Sequence, residues 1–290
     1  MPYAGTRRHY RIRARDRILD LGNRTLIMGI LNITPDSFSD GGAFFAPAHA
    51  VERARRIAAE GADILDIGGE STRPGSQGVD AEEELRRILP VLEALRNDYS
   101  LPISIDTSKS EVGRAALEQG AVLINDVTAF EKDPALGEAA AAFGAGVILM
   151  HMRGNPSTMQ QLAPSTDILG EIEEWADRVV ARAQSLGVAR ERIILDPGIG
   201  FGKTADQNLE ILRNLHRLES AGCPILVGTS RKSFIARILS DAKADRIWGT
   251  AAAVAASILF GAHIVRVHDV ASMRDVAMVT DALLNEGAGE

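Results

Sequence analysis

Apolar residues gather in eight short runs along the chain: TLIMGIL (25–31), DILDIG (63–68), PISID (102–106), AVLIND (121–126), GVILMHM (146–152), RIILDPG (192–198), PILVG (224–228) and HIVRVHD (263–269). Nearly all are continuously apolar rather than alternating, which predicts strands covered on both faces, as in a parallel sheet sheathed by helices. Helical patterns lie between them, among others AHAVERARRIAAEGA (48–62), AEEELRRILPVLEALRND (81–98) and DILGEIEEWADRVVARAQSLG (167–187). Gly61, Gly120, Gly144, Gly187, Gly222 and Gly261 each stand where a helix should stop before the next strand. Eight βα units in about 250 residues fit one closed barrel better than the runner-up, a doubly wound open sheet. Residues 9–24 alternate and contain a Gly-Asn turn, which predicts a small hairpin ahead of the barrel, plugging its floor. The expected fold is therefore α/β, a single (β/α)8 TIM barrel over residues 26–286, with residues 1–25 as an N-terminal extension and hairpin. No linker rich in Pro, Ser or Gly divides the chain, and no strict repeat is visible.

Composition narrows the function classes. Of the 290 residues, 46% are apolar and 24% charged, ordinary for a globular chain with a sizeable core. A net charge of -7 argues against general nucleic-acid binding, so any anion site must be local. The single cysteine, Cys223, excludes a disulfide framework and a cysteine metal cluster, and fits a reducing compartment. Arg7, Arg8, Arg11, Arg13 and Arg15 are not followed by the apolar run of a signal peptide. The longest apolar run, around Ala251 to Phe260, is too short to span a bilayer and reads as a packed helix. The expectation is a cytoplasmic protein with neither membrane nor nucleic acid as partner.

Polar residues cluster at the C-terminal ends of the predicted strands, the end at which barrel enzymes build their sites. They are Asn32, Glu70 with Thr72 and Arg73, Asp106, Asn125 with Asp126, His151, Asp196, Lys232, and Arg266 with His268. One aspartate at a strand end is more often a helix cap than a catalyst, but so many on one rim suggest a site. Asp106, Asn125 and Asp196 supply acceptors and Lys232 a cation, a set suited to a flat heterocycle bearing several N–H groups. Arg266 and His268, two residues apart on one strand face, form a cationic pair suited to phosphate oxygens, and Asn32 offers a neutral oxygen to a hard metal. GFGK (200–203) lacks the rest of a P-loop pattern, so phosphate cradling there carries little weight.

The motifs MGILNITPDSFSDGG (28–42), GGESTRPG (68–75), SIDTSK (104–109), INDV (124–127), LMHMRGNPSTMQ (149–160), LDPGIGFGK (195–203), SRKSF (230–234) and RVHDV (266–270) together resemble the dihydropteroate synthase family, in order and across nearly the whole chain. The resemblance implies a transferase of folate biosynthesis, a sulfonamide target, that joins 6-hydroxymethyl-7,8-dihydropterin diphosphate to p-aminobenzoate with magnesium and releases pyrophosphate. It implies that Asp106, Asn125, Asp196, Lys232 and Met150 hold the pterin, and that Asn32, Thr72, Arg266 and His268 hold the diphosphate, with Asn32 also on Mg2+. Phe38, Thr72, Arg73, Pro74, Phe201 and Ser233 would place p-aminobenzoate. The loops around Asp36, Phe38 and Asp40 and around Ser71 to Pro74 would close over the reacting centre. Lys232, Asp40 and Arg266 would take part in the chemistry, Asp40 as a cation stabiliser or proton acceptor or else as a loop cap. A homodimer through barrel helices is also implied. The alternatives are a pterin-binding methyltransferase, which would not need the diphosphate clamp, and a non-catalytic pterin-binding barrel.

Overall fold

The chain opens with an antiparallel pair, β1 (Tyr10–Ala14) and β2 (Arg17–Leu21). Each of the eight apolar runs then forms a parallel strand: β3 (Leu26–Asn32), β4 (Ile64–Gly68), β5 (Ile103–Asp106), β6 (Leu123–Asp126), β7 (Gly146–Met150), β8 (Ile193–Asp196), β9 (Leu226–Val227) and β10 (Ile264–Val267). They hydrogen-bond in the order β8-β7-β6-β5-β4-β3-β10-β9, and a parallel bridge from Leu195 to Ile225 joins the two ends into a (β/α)8 barrel. The computed structural model describes residues 7–34, 47–71, 76, 78–154, 158, 159, 162, 164–240 and 246–284. Its helices are α1 (Pro47–Ala59), α2 (Ala81–Leu95), α3 (Ser110–Glu118), α4 (Pro134–Phe143), α5 (Ile168–Ser185), α6 (Ala205–Arg213), α7 (Ser233–Ile238), α8 (Ile247–Leu259) and α9 (Val270–Leu284).

The continuous apolar runs are explained by two buried faces. Outward-pointing Ile27, Leu65, Ile105, Ile124, Leu149, Leu195 and Val265 pack under the helices. Inward-pointing Met28, Ile64, Leu123, Ile148, Ile194, Leu226 and Ile264 fill the barrel interior. Each such side chain contributes about 1.5–3 kcal/mol by leaving water. The helices offer matching stripes: α2 buries Ile88, Val91, Leu92 and Leu95, the i, i+3, i+4, i+7 spacing, behind an Asp80 cap that accepts from Glu83 N. The six stop glycines all carry positive φ, and Gly144 closes α4 in the left-handed conformation, where its N–H reaches the carbonyls of Ala140 and Ala141.

The hairpin forms, but its turn is Arg15–Asp16 rather than Gly22–Asn23. Arg15 adopts φ 56°, unusual for a residue with a Cβ, and contacts with the barrel hold it there. Its N–H donates to Gly144 O at 2.7 Å, and its guanidinium donates to the carbonyls of Leu117 and Ala121 at 2.5 and 3.0 Å. Gly22, at φ 110°, serves the other end of the hairpin, where a Cβ would stand 2.7 Å from Arg8 O. Ile12, Ala14, Leu19 and Leu21 pack onto the inner row of strand residues, which closes the N-terminal end of the barrel.

Candidate active site

Strand parity builds the site. The residues two positions apart on each strand face the interior, and the parallel register aligns Asn32 with Gly68, Gly68 with Asp106, and Asp106 with Asn125. Met150 aligns with Asp196 on the far side. The apolar inner row therefore gives way, at the C-terminal ends, to a ring of polar side chains around an open cavity of about 620 Å³, whose lining includes Asn32, Asp106, Asn125, Asp196, Lys232 and Arg266. Ser233, in the first turn of α7, and His268 also border it. Met150, Met159 and Phe201 make an apolar wall.

Charge in this cavity is buried and compensated. Arg266 donates through Nε to Asp66 Oδ2 at 2.6 Å and through Nη2 to Asp106 Oδ2 at 2.8 Å. Burial works against its charge, but the two carboxylates outweigh that and hold it firmly protonated. Asp106 is pushed up by burial, with Asp66, Glu84 and Asp126 adding to the push and Arg266 opposing it. Burial likewise raises Asp196, against the N–H of Gly198, which donates to its Oδ1 at 2.7 Å, and against Lys232 and Lys203. The Lys232 ammonium lies 4.0 Å from the centre of the Phe201 ring, and burial lowers it to about 8 even though Asp196 and Asp106 favour its charge. The pocket thus presents two carboxylates, one amide and one readily deprotonated ammonium, all poorly hydrated and available to a ligand with alternating N–H and acceptor groups.

Several sequence expectations are corrected here. Asp126 and His151 sit at strand ends but on the outward parity. Asp126 is a turn residue, accepting from the N–H groups of Thr128 and Phe130 at 2.8 and 2.7 Å, and His151 is buried edge-on against Trp175, its pKa pushed far down by burial. Glu70 is ion-paired with Lys109, which also holds Glu84 at 2.5 Å. Arg266 and His268 do share a strand face, yet they are not a bare cationic pair: Arg266 carries two carboxylates, and Nδ1 of His268 lies 3.0 Å from Ser230 Oγ. In GFGK, Lys203 is a loop brace, donating to the carbonyls of His151, Gly198 and Phe201 at 3.1, 2.9 and 3.1 Å. Asp36, Phe38, Asp40, Thr72, Arg73 and Pro74 lie outside the described residues.

Asp66 escaped the sequence reading. It sits inside the run DILDIG, but it has the inward parity of Gly68, one tier below the rim, and a charged residue on that row is the signal that could have found it.

Comparison with known proteins places the chain in a family. The family model described as pterin binding enzyme matches residues 28–268. The dihydropteroate synthase of Synechocystis sp. is 50% identical over 268 residues, 92% of each chain. A structure of the Yersinia pestis dihydropteroate synthase with a sulfonamide drug complex superposes with a TM-score of 0.88 at 40% identity, covering 94% of this chain and 98% of that one. The Xanthomonas albilineans dihydropteroate synthase with 4-aminobenzoic acid gives 0.87 at 41% identity, over 95% and 98%. With eight parallel strands closed into a barrel and a polar ring at their C-terminal ends, the chain belongs to the dihydropteroate synthases, transferases of folate synthesis within the pterin-binding enzymes.

Proposed function

We propose that the barrel mouth joins 6-hydroxymethyl-7,8-dihydropterin diphosphate to p-aminobenzoate, giving 7,8-dihydropteroate and pyrophosphate. The observation that carries this reading is the buried polar ring itself, in a chain of the dihydropteroate synthase family: Asp106, Asn125 and Asp196 on strand ends with Lys232 across the cavity. Asp106, Asn125 and Asp196 accept the N–H groups of the pterin, Lys232 donates to its acceptors, and Met150 packs on the ring. Arg266, His268, Asn32 and Thr72 hold the diphosphate. Phe201 and Ser233, with Phe38, Thr72, Arg73 and Pro74, place p-aminobenzoate, the class of ligand present in the Xanthomonas relative's structure. The C–O bond to diphosphate breaks, the electron pair leaves with pyrophosphate, and the aniline nitrogen bonds to the freed methylene carbon and gives up a proton, with Asp40 as acceptor. Arg266 stabilises the departing charge, and the walls keep water from the electron-poor carbon.

Magnesium fits the donor set at the end of β3. Among the described residues no cluster of three His, Cys, Asp or Glu could cage a metal, and Mg2+ takes few protein ligands, drawing the rest from phosphates and water. Asn32 would hold it through its amide oxygen, and the ion supplies charge neutralisation at the diphosphate. A homodimer forms through barrel helices, with the exposed apolar side chains Trp248 on α8 and Met278, Val279 and Leu283 on α9 as its material. The protein works in the cytoplasm; among the described residues no helix is long and apolar enough to cross a membrane.

The test is to incubate the purified protein with the pterin diphosphate, p-aminobenzoate and magnesium. Pyrophosphate and 7,8-dihydropteroate are expected in equal amounts. Tight pterin binding without pyrophosphate release would instead mark a non-catalytic or methyl-transferring barrel.

A further inference from the structure

Asp66 is fully buried, one tier beneath the polar ring, and does not itself line the cavity. Its carboxylate works through one oxygen. Oδ2 accepts from Arg266 Nε at 2.6 Å and from Asn125 Nδ2 at 3.2 Å, whereas Oδ1 is buried with no hydrogen-bond partner among the described residues. The register explains this aim: Asp66 aligns with Ser104 on β5, and Asp106 and Asn125 stand one inward position further along β5 and β6. The shared oxygen therefore reaches upward and sideways to two members of the ring at once.

An asparagine amide is a donor on one side and an acceptor on the other, and only its surroundings decide which side faces a ligand. Here the carboxylate accepts one Asn125 N–H from below, which turns the nitrogen side of the amide downward and leaves the amide oxygen as the acceptor that faces the cavity. The same carboxylate fixes the roll of the Arg266 guanidinium, since binding at Nε directs Nη2 to Asp106 Oδ2. We propose that Asp66 is the positioning residue of the pterin floor: it sets Asn125 as an acceptor and Arg266 as a brace for Asp106, and so selects a ligand that presents N–H groups along that edge. Asp66 does not itself meet the substrate. The proposal deepens the function given above and rests on it.

A double-mutant cycle in the full-length protein isolates this role. Wild type, Asp66→Asn, Asn125→Asp and the exchanged pair Asp66→Asn/Asn125→Asp are each titrated calorimetrically with a phosphate-free pterin, and their melting temperatures are recorded. Asp66→Asn removes the acceptor charge and adds a buried donor, and pterin binding is expected to weaken roughly ten- to a hundredfold. Asn125→Asp sets two carboxylates against each other and is expected to lose a similar factor. In the exchanged pair the new amide on β4 donates upward to the new carboxylate on β6, whose other oxygen again faces the ligand, and at least tenfold of the lost affinity returns relative to the product of the single losses. Should one single variant fail to fold, the exchanged pair still reports: affinity within about tenfold of wild type sustains the proposal. A merely structural Asp66 would instead lower the melting temperature of Asp66→Asn while leaving its pterin affinity unmoved, and that result, or an exchanged pair no better than the two losses combined, overturns it. A wild-type protein that does not bind the pterin contradicts the proposed function itself, and the variants then need no explanation.

Discussion

At the floor of the barrel, Met28, Ile64, Leu123, Ile148 and Ile194 meet Ile12, Leu19 and Leu21 of the hairpin in a dry apolar layer. Two to four residues further along, roughly 7–13 Å at a strand's rise, the inward positions become Asn32 on β3, Asp66 on β4, Asn125 on β6 and Asp196 on β8, and Asp106 of β5 and Arg266 of β10 join them. The floor gains free energy from every side chain it buries. The mouth buries charges, each of which would cost several kcal/mol alone; Asp66 and Asp106 are tolerated because Arg266 lies between them, and Asp196 because the Gly198 N–H donates to it and Lys232 lies near. One scaffold thus divides stability and recognition between its two ends, and substitutions at each end should be read by different measurements.

The largest effect is expected where that division is least clean. Arg266→Ala leaves Asp66 and Asp106 as buried unpaired carboxylates and should cost about 3–5 kcal/mol of stability in denaturant titrations, in addition to weakening binding of the pterin diphosphate more than of a phosphate-free pterin. A variant that lost only the diphosphate ligand and kept full stability would show that the ion pairs are worth little. At the floor, Leu21→Ala should lose about 2–5 kcal/mol by cavity formation with the turnover of the folded fraction intact. Asp196→Asn keeps shape but turns an acceptor into a donor toward the ligand, an expected loss of about 1–3 kcal/mol in pterin binding by calorimetry; unchanged binding would leave Asp196 as a turn residue serving Gly198.

The strands were legible because both faces of each are buried, which writes the fold as unbroken apolar runs. The polar ring was legible as residues at strand ends. Its facing was not: Asp126 and His151 share the rim with Asn125 and Met150 but point outward, and only strict parity separates them. The hairpin turn was misassigned because Gly22–Asn23 carries local turn chemistry, whereas Arg15 is held in its left-handed conformation by Gly144, Leu117 and Ala121, residues roughly a hundred or more positions away. Asp66 was hidden for the same reason, since its partners come from β6 and β10.

A smaller effect concerns pH. Lys232 is lowered to about 8 by burial, so a ligand that accepts from its ammonium meets the charged form below pH 8 and an increasingly neutral amine above it. Pterin affinity should decline above pH 8, a limb that Lys232→Ala abolishes. An unchanged limb in that variant would assign it to another group.

The division between the two ends is tested most directly by one paired titration: phosphate-free pterin into Lys232→Ala and into Leu21→Ala, by calorimetry, at a temperature where both are folded. Lys232→Ala is predicted to bind roughly ten- to a hundredfold more weakly than wild type while melting within a few degrees of it, and Leu21→Ala to bind like wild type while melting much earlier. Equal binding losses in the two variants, or a Lys232→Ala protein that loses stability and keeps its pterin, would contradict the account.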